Sequence, residues 1–204
     1  SAAMERMRKL RARISRADSA HRYKEMGVDV FIGEGRFTGP DSIEVGGKRL
    51  TFSKAAICTG ARPAAPLIPG LKEAGCLTNE TIFNLTRLPR RMAVIGGGPV
   101  GCELAQTFCR FGSQVYLFEQ AAEILHHEDL DAARRVRERM EKEGVLFVFR
   151  SKLVRVEVRG GEKVIHAEVN GGMKEWVVDE ILIGVGRRPN VDGLGLEAAG
   201  VAYD

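Results

Sequence analysis

Met92-Ala93-Val94-Ile95-Gly96-Gly97-Gly98-Pro99-Val100-Gly101-Cys102-Glu103 decides how this chain reads. Four apolar residues suit a buried strand. The glycines then fit G-x-G-x-x-G, and an apolar helical pattern follows through Phe111. A strand before the glycines and a helix after them give this short pattern its meaning. Gly96 permits the tight turn, Gly98 lets a pyrophosphate approach the backbone, and Gly101 lets helix and strand pack closely. The free N–H groups of the helix start, with the helix dipole, favour an anion there. Pro99 is tolerated because its missing N–H would be unpaired anyway. Gly97, Val100, Cys102 and Glu103 complete the candidate cofactor-binding run.

Working outward, Gln114–Phe118 reads as a second strand, and Glu119 ends it, 18 residues past Gly101. An acid there can accept hydrogen bonds from an adenosine ribose and repels a 2′-phosphate. Gln120, Ala121 and Ala122 offer no base, so NADH is expected over NADPH. Glu103, on the first helical turn, is also explained by the dipole alone. Helix Leu130–Glu143 and strand Val145–Phe149 continue the alternation, which specifies a parallel sheet with right-handed crossovers. Strands near Leu153–Val158, Lys163–Val169 and Lys174–Val178, split by Gly160-Gly161 and Gly171-Gly172, form an antiparallel three-stranded meander. Glu180–Val185 is a last apolar strand. The fold class is α/β, a Rossmann-like dinucleotide-binding domain.

The first third differs. A helix is expected from Ala2 to Met26, stopped at Gly27, then a strand at Val28–Ile32. Short strands at Arg36–Thr38, Ser42–Val45 and Lys48–Phe52 alternate with Gly39-Pro40-Asp41 and Gly46-Gly47, a second meander. Lys54–Cys58 reads as a strand. Pro63, Pro66, Pro69 and Gly70 mark a stiff linker, and Thr78-Asn79-Glu80 can cap a short helix through Leu85.

Composition narrows the classes. The 204 residues are 44% apolar and 28% charged, which excludes low-complexity disorder. Apolar runs fall far short of the roughly 20 residues of a membrane span. No signal peptide is expected, and a chain opening on Ser is expected to be processed or truncated. The formal charge is +4, but residues 1–26 hold eight bases against three acids. Met4, Met7, Leu10 and Ile14 recur there at helical spacing, so an amphipathic helix explains the charge better than nucleic-acid binding. No aromatic residue precedes Tyr23 among those bases. Cys58, Cys76, Cys102 and Cys109 form no C-x-x-C and no zinc spacing, so they read as structural thiols in a reducing cytoplasm. His126 and His127 lie in a polar loop with no ligand partners spaced around them. No metal is expected.

With these residues in place, the chain resembles the middle of a flavoprotein disulfide reductase, the class of dihydrolipoamide dehydrogenase, glutathione reductase and mercuric reductase. Cys58-Thr59-Gly60-Ala61-Arg62-Pro63, the Gly96–Glu103 run, Glu119 and Gly186-Arg187-Arg188-Pro189-Asn190 carry the resemblance in order. Met7-Arg8, Gly-Val-Asp-Val-Phe at 27–31, and Ile68-Pro69-Gly70-Leu71 through Thr78-Asn79-Glu80 look most like the mercuric reductase-like branch.

The resemblance implies a partial FAD-binding domain at 1–77, an NAD(P)H-binding domain at 78–193, and a return to the FAD domain at 194–204. It implies that Gly35 and Cys58-Thr59-Gly60 approach FAD with their backbones, Cys58 standing where the family usually has Ala. Leu153 and Gly186 would join the glycine run and Glu119 in the dinucleotide groove, and Glu103 would sit beside the flavin, paired to a Lys. The implied function is hydride transfer from NADH to FAD and on to a redox disulfide. That C-x-x-x-x-C, the first FAD glycine motif and a dimerisation domain with a catalytic His lie outside these residues. No catalytic residue is therefore expected in this chain, and the isolated chain is expected to lack turnover. The parent is expected to be a cytoplasmic homodimer with no nucleic-acid or membrane partner. The alternative is a stand-alone NADH-binding or redox-sensing module.

Overall fold

The computed structural model describes residues 2–203. Ser1 and Asp204, the outer ends of the segments at 1–77 and 194–204, lie outside the described residues. Two compact units form, Pro63–Arg188, and Ser1–Arg62 with Pro189–Asp204.

In the flanking unit, α1 (Ala2–Ala17) and α2 (Ala20–Glu25) replace the single helix expected to Met26. Ser19 makes the break: its hydroxyl donates to the Arg16 carbonyl at 2.9 Å and accepts from the Arg22 N–H at 3.3 Å. A serine that binds the backbone this way starts a new helix instead of continuing the old one. Neither helix buries a residue. The meander forms as β1 (Gly35–Gly39), β2 (Ser42–Val45) and β3 (Lys48–Thr51), in order β1-β2-β3. The strands expected at Val28–Ile32 and Lys54–Cys58 are absent, because neither segment finds a ladder partner among the described residues.

The sequence reading placed only a linker around Pro63. There β4 (Ala61–Pro63) begins a two-stranded pairing completed far along the chain. Next comes a four-residue helix, α3 (Leu71–Ala74). The helix expected before Leu85 shrinks to one 3₁₀ turn at Ile82–Asn84. Its Ile82 is wholly buried.

The remaining expectations hold to within a few residues. They appear as β5 (Arg91–Ile95), α4 (Pro99–Arg110), β6 (Gln114–Phe118), α5 (Leu130–Lys142) and β7 (Leu146–Val148). Then come the meander β8 (Ser151–Arg159), β9 (Glu162–Val169), β10 (Gly172–Val178) and the strand β11 (Glu180–Ile183). Finally β12 (Arg187–Pro189) pairs with β4. The parallel sheet runs β11-β5-β6-β7, with Ile95 opposite both Ile183 and Phe118.

Alternation sorts the two faces of this sheet. Ala93, Ile95, Phe118, Ile181 and Ile183 pack with Val156, Ile165, Ala167 and Val178 of the meander. Trp176 meets Phe118 edge to face at 5.1 Å. On the other face Val94 meets α4, where a β-carbon at Gly101 would lie 3.6 Å from its methyl. The unit is thus three layers, meander, sheet and helices. Glu143 closes the helix layer, accepting from Arg110 Nε at 2.7 Å, Gln106 Nε2 at 3.0 Å and Arg139 Nε at 2.5 Å. The Arg110 hydrogen bond first, with that of Arg139, outweighs burial and holds the Glu143 carboxyl down at about 2. Asp179 ties β11 to β5: burial raises its carboxyl, but charge-assisted bonds from Arg91 hold it below the ordinary value.

Candidate functional site

A cavity of about 710 Å³ opens within the central unit at the C-terminal ends of β5, β6 and β11. Its size suits a nucleotide-sized ligand. The location follows from topology: strand ends leave a crevice where crossovers diverge to opposite faces. Gly96, Gly97, Gly98, Pro99 and Val100 form one wall, and Glu119, Leu153, Val185 and Gly186 also line it.

The glycines do what the spacing anticipated. Gly96 sits at φ +106°, and a β-carbon there would meet the Gly184 carbonyl oxygen at 2.5 Å. At Gly101 it would meet the Gly96 carbonyl oxygen at 2.0 Å, so helix and turn close only on glycine. At Gly98 it would meet nothing within 4 Å. Gly98 is also the N-cap of α4, with no side chain capping the free N–H groups and Pro99 opening the first turn. That cradle faces open space and fits a pyrophosphate.

Glu119 is 8% exposed. Its two oxygens accept from the Gly97 N–H at 2.7 Å and the Ala121 N–H at 2.8 Å. The carboxylate is therefore fixed in the cavity wall, and each oxygen keeps a further lone pair for a ligand hydroxyl.

Other expected residues fall elsewhere. Glu103 is exposed on α4 and Cys102 is buried beneath the turn, its thiol 3.4 Å from the Gly97 carbonyl. Neither they nor Gly101 line the cavity. Burial, then Glu119 and Glu103, push the Cys102 thiol up to about 12, so it stays protonated and inert. Gly35 and Cys58-Thr59-Gly60 belong to the flanking unit. There Asn190 binds the Cys58–Gly60 segment: its N–H donates to the Gly60 carbonyl at 3.0 Å and its amide to the Thr59 carbonyl at 3.0 Å, while the Thr59 hydroxyl donates to the Asn190 carbonyl at 2.8 Å. Two motifs some 130 residues apart in the chain are thus one structural feature.

Pro66, Leu67, Ile68, Asn79, Lys152, Arg187, His126 and His127 also line the cavity and were not anticipated. Val185 and Arg187, flanking Gly186 after β11, carried a usable signal, because strand C-terminal ends build such sites. The others arrive by tertiary packing. Among the described residues no group of three His, Cys, Asp or Glu could hold a metal ion, and no described helix is long and apolar enough to cross a membrane.

The parallel sheet, the glycine turn and the cavity at the strand ends define a Rossmann-like dinucleotide-binding fold. The sequence model of the pyridine nucleotide-disulphide oxidoreductases matches residues 3–204. The chain belongs to that family, whose members depend on FAD and a pyridine nucleotide. It is 40% identical over 186 residues to a dihydrolipoyl dehydrogenase of Thermus scotoductus, covering 87% of this chain and 39% of the relative. It is 35% identical over 177 residues to a mercuric reductase of Lysinibacillus sphaericus, covering 87% of this chain and 32% of that protein. Among solved structures, the HOCl-induced flavoprotein disulfide reductase RclA of Escherichia coli superposes with a TM-score of 0.87 at 29% identity, over 99% of this chain and 46% of that one. The chain therefore spans about a third to under half the length of these relatives.

Proposed function

We propose that the central unit binds NADH, in preference to NADPH at neutral pH, and orients its nicotinamide for hydride transfer to FAD in the whole protein. The observation that carries this reading is the uncapped start of α4 at Gly98, opening on the same cavity as the fixed Glu119. The α4 N–H groups bind the pyrophosphate, where the helix dipole adds to the hydrogen bonds. The lone pairs of Glu119 take the ribose hydroxyls, and its charge opposes a 2′-phosphate. Leu153 and Val185 present apolar walls that exclude water around the ring system. Flavin supplies the electron chemistry when bound, and this chain supplies orientation.

Gly35 and Cys58-Thr59-Gly60 contribute backbone to the FAD site, with residues 1–77 and 194–204 belonging to the FAD domain and 78–193 to the NAD(P)H domain. Glu103 lies beside the flavin. The whole protein passes electrons to a redox disulfide outside this chain, acts as a homodimer, and is of the mercuric reductase-like branch. The phrases at Met7-Arg8, 27–31 and Ile68–Glu80 support that branch. The isolated chain binds nucleotide and turns nothing over.

Titration of the chain with NAD⁺ and NADP⁺ by calorimetry at pH 7.5 tests the reading. NAD⁺ binds more tightly, and Glu119→Gln narrows the difference. Equal affinities in the unaltered chain remove the preference, and no binding of either removes the function. Hg(II)-dependent NADH oxidation by the whole protein tests the branch, and its absence sends the assignment back to disulfide substrates.

A further inference from the structure

A second cavity, of about 450 Å³, opens in the central unit and shares no lining residue with the nucleotide cavity. That volume suits a small organic ligand. Its aromatic wall comes from two places in the chain. Phe147 of β7 and Phe149 just beyond it stack with ring centroids 5.3 Å apart and planes 2° from parallel. Trp176 of β10 stands half-buried, fixed by its edge-to-face contact with Phe118. Two cations complete the wall, Arg150 after β7 and Lys174 on β10. Lys174 and Trp176 lie two residues apart on one strand and so share a face. Arg150 and Lys174 are both exposed, so a ligand reaches them.

No carboxylate lines this cavity, and neither cation forms an ion pair among the described residues. Other arginines of the same unit behave differently. Arg91 holds Asp179 at 2.5 Å, Arg110 holds Glu143 at 2.7 Å, and Arg137 holds Glu123 at 3.0 Å. Two like charges in one concavity, with no acid between them, favour an anion there. Arg150 also adopts φ +50°, a backbone conformation that glycine takes without strain and arginine does not. Its N–H donates to the Ala121 carbonyl at 3.1 Å, which ties the residue to the loop after Glu119.

We propose that this cavity is a binding site for a small aromatic anion, a ring that carries a carboxylate or a phosphate. The ring packs on Trp176 and on the Phe147–Phe149 pair, where buried apolar area and aromatic contacts hold it. The anionic group meets Arg150 and Lys174. The guanidinium donates paired N–H groups to a carboxylate or a phosphate alike, and the ammonium adds a second charge. Neither feature suffices alone: the aromatic wall selects a ring, and the two cations select its charge. The site is independent of the nucleotide cavity and stands whether or not that cavity binds NADH.

Trp176 is the only tryptophan of the chain, so its fluorescence reports this cavity directly. The test titrates the chain with phenyl phosphate and with benzoate while that emission is followed. Benzyl alcohol serves as a ring without charge, and inorganic phosphate as a charge without ring. An aromatic anion should change the emission saturably at about millimolar concentration, and each single-feature probe should need about tenfold more. Tighter binding of phenyl phosphate names phosphate as the preferred group, and tighter binding of benzoate names carboxylate. Lys174→Gln should weaken binding about tenfold, as expected for one lost charge-assisted contact. Arg150→Gly should weaken it as much and keep the unfolding midpoint, because glycine suits φ +50°. Saturating NAD⁺ should leave the titration unchanged. No saturable change with either aromatic anion overturns the proposal. So does binding that both variants retain, equal binding of benzyl alcohol or inorganic phosphate, or displacement by NAD⁺, which puts the ligand in the nucleotide cavity. Failure of NAD⁺ to bind in calorimetry removes the proposed function and leaves this site standing.

Discussion

The two units of this chain follow the same rules of local structure and end in different conditions. Residues 63–188 bury almost the entire apolar core, from Met92, Val94 and Leu117 to Ile165 and Ile181. The flanking unit buries only Phe37, Ser42 and Leu196 among its described residues. Its helices bury nothing, and Ile14, Met26 and Ile32 stand 60%, 64% and 83% exposed. Helix α1 is amphipathic in sequence, yet it buries no residue. An amphipathic element gains stability only when another layer covers it. The central unit holds all three of its layers, whereas the apolar residues of α1 and of 28–32 stay partly or largely exposed among the described residues.

The largest contrast is set by backbone contacts. Gly101→Val places a side chain where the Gly96 carbonyl already lies, and calorimetry should show NAD⁺ binding lost, roughly a hundredfold or more. The matching change at Gly60, where a β-carbon meets nothing within 4 Å, should leave NAD⁺ affinity within about threefold. Equal losses would break the assignment of the nucleotide site to one unit.

Core truncation comes next. Phe118→Ala removes a 1%-exposed ring packed edge to face against Trp176 and should cost about 3–5 kcal/mol in denaturant unfolding. Ile14→Ala on the open face of α1 should change stability by about 0.5 kcal/mol or less. If Ile14 matters as much as Phe118, α1 has a partner in solution, and self-association would be sought first.

Acid probes the central unit through Glu143. Glu143 has an ordinary value of 4.5 and is held at about 2 when folded, so its share of stability is present above pH 4.5 and lost as pH falls toward 2. Glu143→Gln should remove part of the acid sensitivity in that window, measured as unfolding free energy against pH, and leave the slope near pH 7 unchanged.

Thiol chemistry is the gentlest probe. Cys58 is exposed in the flanking unit, whereas Cys102 is buried with its thiol pushed up to about 12. Mass mapping after brief alkylation should find Cys58 modified and Cys102 untouched until denaturant is added. Early modification of Cys102 would mean that the glycine turn opens in solution.

Legibility followed the same divide. The alternation around Gly96–Glu103, both meanders and Glu119 were readable because strands, glycine turns and a βαβ unit write their period locally. Helix α1 continued on paper through Ser19 because spacing does not show where a hydroxyl binds. Val28–Ile32 and Lys54–Cys58 have strand-like composition, but a strand exists only when another strand accepts its hydrogen bonds. Within the site, the turn and the acid were visible, while Asn79, Lys152 and the His126–His127 pair were not.

The amino-acid sequence by itself determined the fold class, the glycine turn and the acid at the end of β6, since these rest on periodicity, on the missing β-carbons and on one strand's length. Only the tertiary structure decided that Glu119 is fixed by two backbone N–H groups, that Asn190 binds Thr59 and Gly60, and that the Leu125 N–H donates to the Gly97 carbonyl. Each of these joins residues through space across 22, 131 or 28 positions of chain (119 to 97, 190 to 59, 125 to 97), and local spacing encodes no such distance.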